Sequence, residues 1–423
     1  MKVLLLGGGG REHALAWALA QSPQLTRLYC APGNPGTAEL GENVALTPTD
    51  PAAVVAFARA EAVELVVVGP EAPLVAGVAD ALRAVGIAVV GPGQQGAALE
   101  GSKRFAKGFL QRHGIPTAAY ADFVAGQATQ AEAFLDTLAP PYVIKADGLA
   151  AGKGVVIAAT RAEAQAAVHD FLTEGKLGEA GRTVVIEAFL PGIEVSVFVL
   201  TDGEDYVLLP EAKDYKRIGE GDTGPNTGGM GAVSPVPFYS DTLRARVVAE
   251  VVEPTLRGLQ AEGIPYRGFL FIGLMVVGGV PYVLEYNVRL GDPETQAILP
   301  RLEGDLLAVL HATALGRLSA AREQVRVAPH TSAAVVCASP GYPESSTSGL
   351  EITLPDLPAA RIFHAGTGQV GGRLVTAGGR VLAVAATAPT LAEAVARAVA
   401  GAEAVQYTGR YYRRDIGADV LPR

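Results

Sequence analysis

The stretch Met1-Lys-Val-Leu-Leu-Leu-Gly7-Gly8-Gly9-Gly10-Arg11-Glu12-His13-Ala14 decides how the rest of the chain is read. Residues 3–6 are apolar without alternation, as a strand buried on both faces requires, and residues 12–20 have helical composition. Four glycines join the two. The same rhythm returns in residues 65–68 followed by 74–85, and again in 87–90. Asp50 followed by Pro51 supplies an N-cap and a first-turn proline. Together these predict a parallel sheet with helices on both faces, ending near residue 101. A glycine turn between strand and helix can hold phosphate through backbone N–H groups. A dinucleotide fingerprint is the rival, but Gly7-x-Gly9 is followed by Glu12 and Gly8-x-Gly10 by His13, and the second strand ends in Pro32-Gly33-Asn34 rather than an acid. A close-packed turn without a ligand stays open. Gly69-Pro70-Glu71 and Gly91-Pro92-Gly93 end strands at the edge where such sheets bind ligands.

The chain has 423 residues, enough for about three domains at roughly 150 residues each. Lys and Arg number 34 against 43 Asp and Glu, for a net charge of −9, so the overall field disfavours a nucleic-acid backbone. Cys30 and Cys337 stand far apart, which excludes a disulfide framework and a Cys-rich zinc site and fits a reducing compartment. The N-terminal apolar run is too short for a signal peptide, and the apolar stretch 269–284 is broken by Gly278-Gly279 and Pro281. A cytoplasmic protein with no membrane or nucleic-acid partner is expected.

Beyond a helix at 103–113, stopped by Gly114-Ile-Pro116, the texture changes. A strand at 142–145, the loop Asp147-Gly-Leu-Ala-Ala-Gly-Lys-Gly154, a strand at 155–158, a helix opened by Thr160-x-x-Glu163 and a strand at 183–188 form a lid-like α+β unit. Lys145 ends the first of these strands and Lys153 lies in the glycine loop. The loop is no P-loop, because Gly154 follows Lys153 and two strands flank it. It reads as a flap carrying an ammonium group over polyphosphate, although Lys145 by itself also fits a snorkelling strand-end lysine. Glu187 and Glu194 flank Ala188-Phe189-Leu190, a connection that could border an adenine with a carboxylate on the ribose; two solvated carboxylates is the plainer alternative. Residues 212–235 hold charges and six glycines without periodicity, so they are either functional or disordered.

In the expected hairpin at 269–287, Glu285 and Asn287 are two residues apart and project from one face of a strand. Two adjacent oxygen ligands suit Mg²⁺; a hydrogen-bonded pair at a strand end is the alternative. Next, Arg289-Leu-Gly-Asp292-Pro-Glu294-Thr-Gln296 offers Asp292 as N-cap, Pro293 at the first helical position and Arg289 as a planar fork for an anion. After residue 325, strands at 333–338, 374–376 and 381–385 and a helix capped by Thr390-x-x-Glu393 indicate a small terminal domain.

These motifs, with Lys213-Asp-Tyr-Lys-Arg217 and Asn226-Thr-Gly-Gly-Met-Gly231, make the chain similar to the ATP-grasp ligases and, within them, to the phosphoribosylamine glycine ligases, along essentially its whole length. The resemblance implies an α/β and α+β multidomain fold. Its parts are an N-terminal parallel-sheet, biotin-carboxylase-like domain (1–101), an ATP-grasp domain (102–325) with a mobile glycine-rich lid at about 117–190, and a small C-terminal mixed α/β domain (326–423). It further implies ATP-dependent joining of glycine to 5-phosphoribosylamine through glycyl phosphate, with Mg²⁺ or, in its place, Mn²⁺, in a monomer or weak homo-oligomer. By the same resemblance Lys145, Asp214 and Arg289 are catalytic. Lys103, Lys145, Lys153 and Gly154 meet the nucleotide phosphates, Glu187 and Leu190 the adenine, and Glu194 the ribose. Glu285 and Asn287 hold the metal. Lys213, Asp214 and Arg289 meet glycine; Gly8, Gly9, Gly10, Glu71, Gly291 and Asp292 face phosphoribosylamine. An ATP-grasp enzyme activating formate or bicarbonate, and a nucleotide-binding regulator without turnover, are the alternatives.

Overall fold

A computed structural model describes residues 1–148 and 154–421. The N-terminal strands Lys2–Gly7, Arg27–Pro32, Glu42–Asn43, Leu65–Val68 and Ala88–Val90 form one parallel sheet, in the spatial order third, second, first, fourth, fifth. Val3 to Leu6 and Leu65 to Val68 are all buried, which explains why these runs lack alternation. The first helix, Gly10–Leu19, begins directly on the glycine turn. The expected helix at 74–85 is two shorter ones, Glu71–Val75 and Val78–Ala84, separated by Gly77 at φ +84°.

The lid is a four-stranded antiparallel sheet in the order Tyr120–Val124, Thr183–Ala188, Tyr142–Ala146, Val155–Ala158. Helices Ala128–Leu135 and Arg161–Leu172 cover it, burying Leu135, Ile144, Val168 and Ile186 together. The capping box read from Thr160 and Glu163 is present. A second antiparallel sheet runs Tyr206–Leu208, Ile193–Thr201, Gly268–Val277, Val280–Asn287. Its Val197, Ile272 and Val283 share one core with Leu4, Val66 and Val89 of the first domain, so the N-terminal sheet and this second sheet are packed into one continuous core.

The segment 212–235 is ordered, which removes the disordered alternative. Lys213–Asp214 and Gly231–Ser234 join the C-terminal strands Thr331–Ala338, Arg380–Ala388 and Arg361–His364 in a single sheet, and Arg217–Gly219 pairs with Thr223–Asn226 as a hairpin. Strands this short carry no readable alternation, and Gly231–Ser234, which links Lys213–Asp214 to the sheet, has its other partner about a hundred residues on. The helix Leu391–Ala404, capped by Thr390, packs on that sheet. Among the described residues no helix is long and apolar enough to cross a membrane.

Candidate active site

Charged side chains from three sheets come close enough to act on one another: Lys145 from the lid, Glu194 and Glu285 from the second antiparallel sheet and Asp214 from the C-terminal one. On the lid side, Lys145 leaves strand Tyr142–Ala146 with its ammonium 2.8 Å from Glu187 Oε1, and Lys107 lies 2.8 Å from Glu187 Oε2. Lys145 also donates to the Leu284 carbonyl at 3.3 Å. Burial alone would raise the Glu187 carboxyl, but the two lysines outweigh it and hold the group below the ordinary glutamate range. Expected beside adenine, Glu187 is therefore first of all a carboxylate clasped between two ammonium groups. Lys103 starts the helix Lys103–Arg112, which Ser102 caps. Its ammonium donates to the Gly148 carbonyl at 3.3 Å, and burial lowers its pKa. Asp147 fixes this helix start, accepting from Ser102 Oγ at 3.0 Å and Arg104 N–H at 2.7 Å. Leu190 is half-buried in the connection after Glu187. Gly154 is buried, its carbonyl accepting from Ala146 N–H at 2.7 Å. Lys153 and the tip of the glycine loop lie outside the described residues.

Opposite this cationic wall the balance reverses. Lys216 is ion-paired to Glu194 and lies 3.6 Å from Asp214. Burial disfavours its charge, yet Asp214, Glu194 and Glu285 raise its pKa well above the ordinary lysine value. Asp214 is pushed up by burial and by Glu194 and Glu285, with Lys216 opposing. Glu294 is pushed up to about 8 by burial and then by Asp214. Expected on the ribose, Glu194 here engages Lys216. Lys213 does not join this cluster. Adjacent strand residues face opposite ways, and while Asp214 turns to Lys216, Lys213 pairs with Asp419 at 2.8 Å and lies 4.0 Å over the Tyr215 ring.

Glu285 and Asn287 project from the same face of Val280–Asn287, opposite Gly273 and Phe271. Among the described residues Glu285 makes no hydrogen bond or ion pair, and the buried Asn287 amide has an unpartnered Nδ2. A carboxylate without a described partner, on the same strand face as an amide whose Oδ1 is the atom able to ligate, fits the donor set of a hard cation, which takes oxygen ligands and completes its shell from water and phosphate; the unpartnered Nδ2 is a donor and adds nothing to that set. Arg289 is half-committed: Nη2 is 2.6 Å from Glu100 Oε1, Nε is 3.3 Å from Glu71 Oε2, and Nη1 makes a 3.4 Å bond to the Leu290 carbonyl. Burial opposes its charge, but Glu100 and Glu71 keep it protonated and aimed. Glu71, expected beside phosphoribosylamine, here engages Arg289.

At that turn, glycine is dictated first by packing. A Cβ on Gly8 would meet the Gly33 carbonyl oxygen at 2.6 Å, and one on Gly10 would meet Gln296 Nε2 at 2.4 Å. The donors expected for phosphate are partly spent: Gly9 N–H donates to Glu12 at 2.7 Å and Arg11 N–H to Asp292 at 3.4 Å. Asp292 is not the N-cap, and Pro293 is not the first helical residue: helix Glu294–Ile298 has Pro293 itself at the cap position, and the Asp292 carboxylate accepts from Gln296 at 2.8 Å and lies 3.5 Å from Arg380. Gly291 packs on Glu294.

Comparison with known proteins decides what this arrangement belongs to. Models of phosphoribosylglycinamide synthetase match most of the chain in order: the N domain at residues 1–100, the ATP-grasp (A) domain at 101–295 and the C domain at 332–419. The chain belongs to the phosphoribosylglycinamide synthetase family. Among its relatives, the phosphoribosylamine–glycine ligase of Rhizobium meliloti is 51% identical over 425 residues (100% of this chain, 99% of the relative), and that of Chlorobaculum tepidum is 50% identical with 100% of both chains covered. The crystal structure of the Thermotoga maritima phosphoribosylamine–glycine ligase matches with a TM-score of 0.85 at 36% identity, covering 98% of this chain and 100% of that one. The biotin carboxylase domain of Hydrogenobacter thermophilus 2-oxoglutarate carboxylase shares the fold, with a TM-score of 0.75 at 17% identity over 97% of this chain and 91% of that one.

This family member is an ATP-grasp ligase whose site contains residues given no role there from the sequence, two of them, Lys216 and Glu294, inside the quoted motifs. Lys107, Lys216, Glu100, Glu294 and the C-terminal Arg380 all touch residues that were expected. Lys107 follows Lys103 by one helical turn, the spacing that puts both on one face, and that signal was readable. Nothing local marks Glu100 as the partner of Arg289, 189 residues away.

Proposed function

We propose that this chain joins glycine to 5-phosphoribosylamine, giving glycinamide ribonucleotide, ADP and phosphate, by way of glycyl phosphate. The observation that carries the reading is the meeting of a lysine wall (Lys103 and Lys145, with Lys107 behind them on Glu187) with a carboxylate-rich wall (Glu194, Asp214, Glu285, Glu294). A triphosphate suits the first; a divalent cation and an ammonium group suit the second.

A carboxylate oxygen is a poor leaving group, so the amine of phosphoribosylamine can displace it only after a phosphoryl group has been transferred to it. Lys145 and Lys103 would spread the charge on the terminal phosphoryl group as it passes to a glycine carboxylate oxygen. Arg289, locked by Glu100 and Glu71, presents Nη1 to orient that carboxylate. Asp214, whose ionisation is disfavoured by burial and neighbouring acids, regains a favourable charge when it faces the glycine ammonium. Glu285 and Asn287 would hold Mg²⁺, which supplies charge neutralisation to the phosphate oxygens. The Gly8–Gly10 turn, Gly291 and Asp292 would border the phosphoribosylamine. No side chain is needed as a nucleophile. Buried, unpaired Cys30 and Cys337 accord with a cytoplasmic location.

The test is ADP formation with each acid supplied separately and the product identified by mass. Turnover that requires both glycine and phosphoribosylamine and yields the amide ribonucleotide is expected. Equal turnover with formate or bicarbonate, or nucleotide binding without turnover, would overturn the assignment.

A further inference from the structure

Glu187 carries one negative charge, and Lys145 alone would neutralise it. The second buried ammonium, that of Lys107, is electrostatically surplus, and burial lowers its pKa to about 8. A buried charge that is not needed for neutrality costs stability unless its geometry serves something. Its geometry is specific. Lys107 Nζ is 2.8 Å from Glu187 Oε2 and 2.7 Å from Thr117 Oγ1. Thr117 Oγ1 donates onward to the Val283 carbonyl at 2.7 Å, and Val283 N–H donates to the Pro116 carbonyl at 2.8 Å. Thr117 is where the chain leaves the helix Lys103–Arg112 for the lid, and Val283 lies two residues before Glu285 on the strand that carries the metal pair. Through Glu187 Oε1 the same network reaches Lys145 at 2.8 Å.

We propose that Lys107 is a positioning residue for nucleotide binding: it ties Glu187 to the root of the lid at Thr117, and so holds the Lys145 ammonium facing the phosphates. This rests on the reading that Lys145 meets the nucleotide. Lys107 itself touches no substrate, so its effect belongs in nucleotide affinity and should pass through Lys145.

The experiment uses the full chain and measures the KM for Mg-ATP and for glycine, together with Kd for Mg-ADP by calorimetry. Lys107→Met is expected to raise the nucleotide KM and Kd about tenfold while the glycine KM stays within about twofold. Lys145→Met should raise the nucleotide values further. The double variant should match Lys145→Met alone, a non-additivity that mere loss of stability would not produce. A wild-type nucleotide KM in folded Lys107→Met, or full additivity in the double variant, overturns the proposal. If Lys107→Met does not fold, Thr117→Val keeps every charge and removes only the lid-root oxygen. It should raise the nucleotide KM about threefold, and no change there overturns the proposal equally. If Lys145→Met leaves nucleotide affinity intact, the reading of Lys145 itself falls, and the proposal falls with it.

Discussion

Two lysine–carboxylate clusters of the site carry opposite surpluses. Around Glu187, two ammonium groups share one carboxylate, and Lys103 adds a third cation nearby. Around Lys216, Glu194 and Asp214 flank one ammonium, and the nearby carboxyls of Glu285 and Glu294 add to the same field. Each cluster is paired well enough to be buried, yet each keeps charge that only a ligand of the opposite sign can balance. The difference indicates which part of a reaction each wall receives: phosphate oxygens on the lysine side, and a metal and an amino group on the acid side.

The sharpest way to break this comparison is to remove the carboxylate that has no partner among the described residues. Glu285→Ala should lower turnover with Mg-ATP by at least about a hundredfold, on the scale of losing a principal electrostatic group, while leaving thermal stability near wild type. Wild-type turnover would contradict the ligand assignment. Next come two variants that should separate the walls. Asp214→Asn should raise the glycine KM by about tenfold or more with little change for ATP, and Lys103→Met should do the reverse, each losing one charge-assisted contact. Steady-state kinetics checks both, and a crossed result, with Asp214→Asn affecting ATP alone, would dissolve the division of labour.

The smallest effect is on stability. Glu294 has its carboxyl pushed up to about 8 by burial and then by Asp214, against Lys216 and Arg289, from an ordinary value of 4.5. A group that holds its proton more tightly when folded contributes stability below its unfolded pKa and loses that contribution as pH climbs through its folded pKa. Melting temperature should therefore fall between about pH 5 and pH 8 more steeply in the wild type than in Glu294→Gln, with the difference flattening above pH 8. Parallel slopes for the two would show that Glu294 is not held protonated.

The parallel sheet could be read from the chain because residues 3–6 and 65–68 are apolar on both faces, and only a doubly covered strand tolerates that. The caps at Thr160 and Thr390 were equally plain, since their hydrogen bonds close within three residues. Glu285 and Asn287 could be placed together because a strand repeats every two residues. What escaped depends on chain return. Lys216 lies in a segment whose two- and four-residue strands are organised by the distant Thr331–Ala338; Arg380 enters from the C-terminal sheet to contact Asp292; and Lys213 points away from its neighbour Asp214, toward an acid near the C-terminus. Asp292 looked like a cap by residue type, and only its real partners, Gln296 and Arg380, show why its carboxylate is used elsewhere.

The two walls meet at a single oxygen atom if the account is right: one carboxylate oxygen of glycine accepts the phosphoryl group held on the lysine side. Glycine labelled with ¹⁸O in both carboxylate oxygens tests this directly. In a complete turnover the account predicts one ¹⁸O in the released inorganic phosphate and one retained in the amide product. Phosphate free of ¹⁸O would mean that the carboxylate was never phosphorylated.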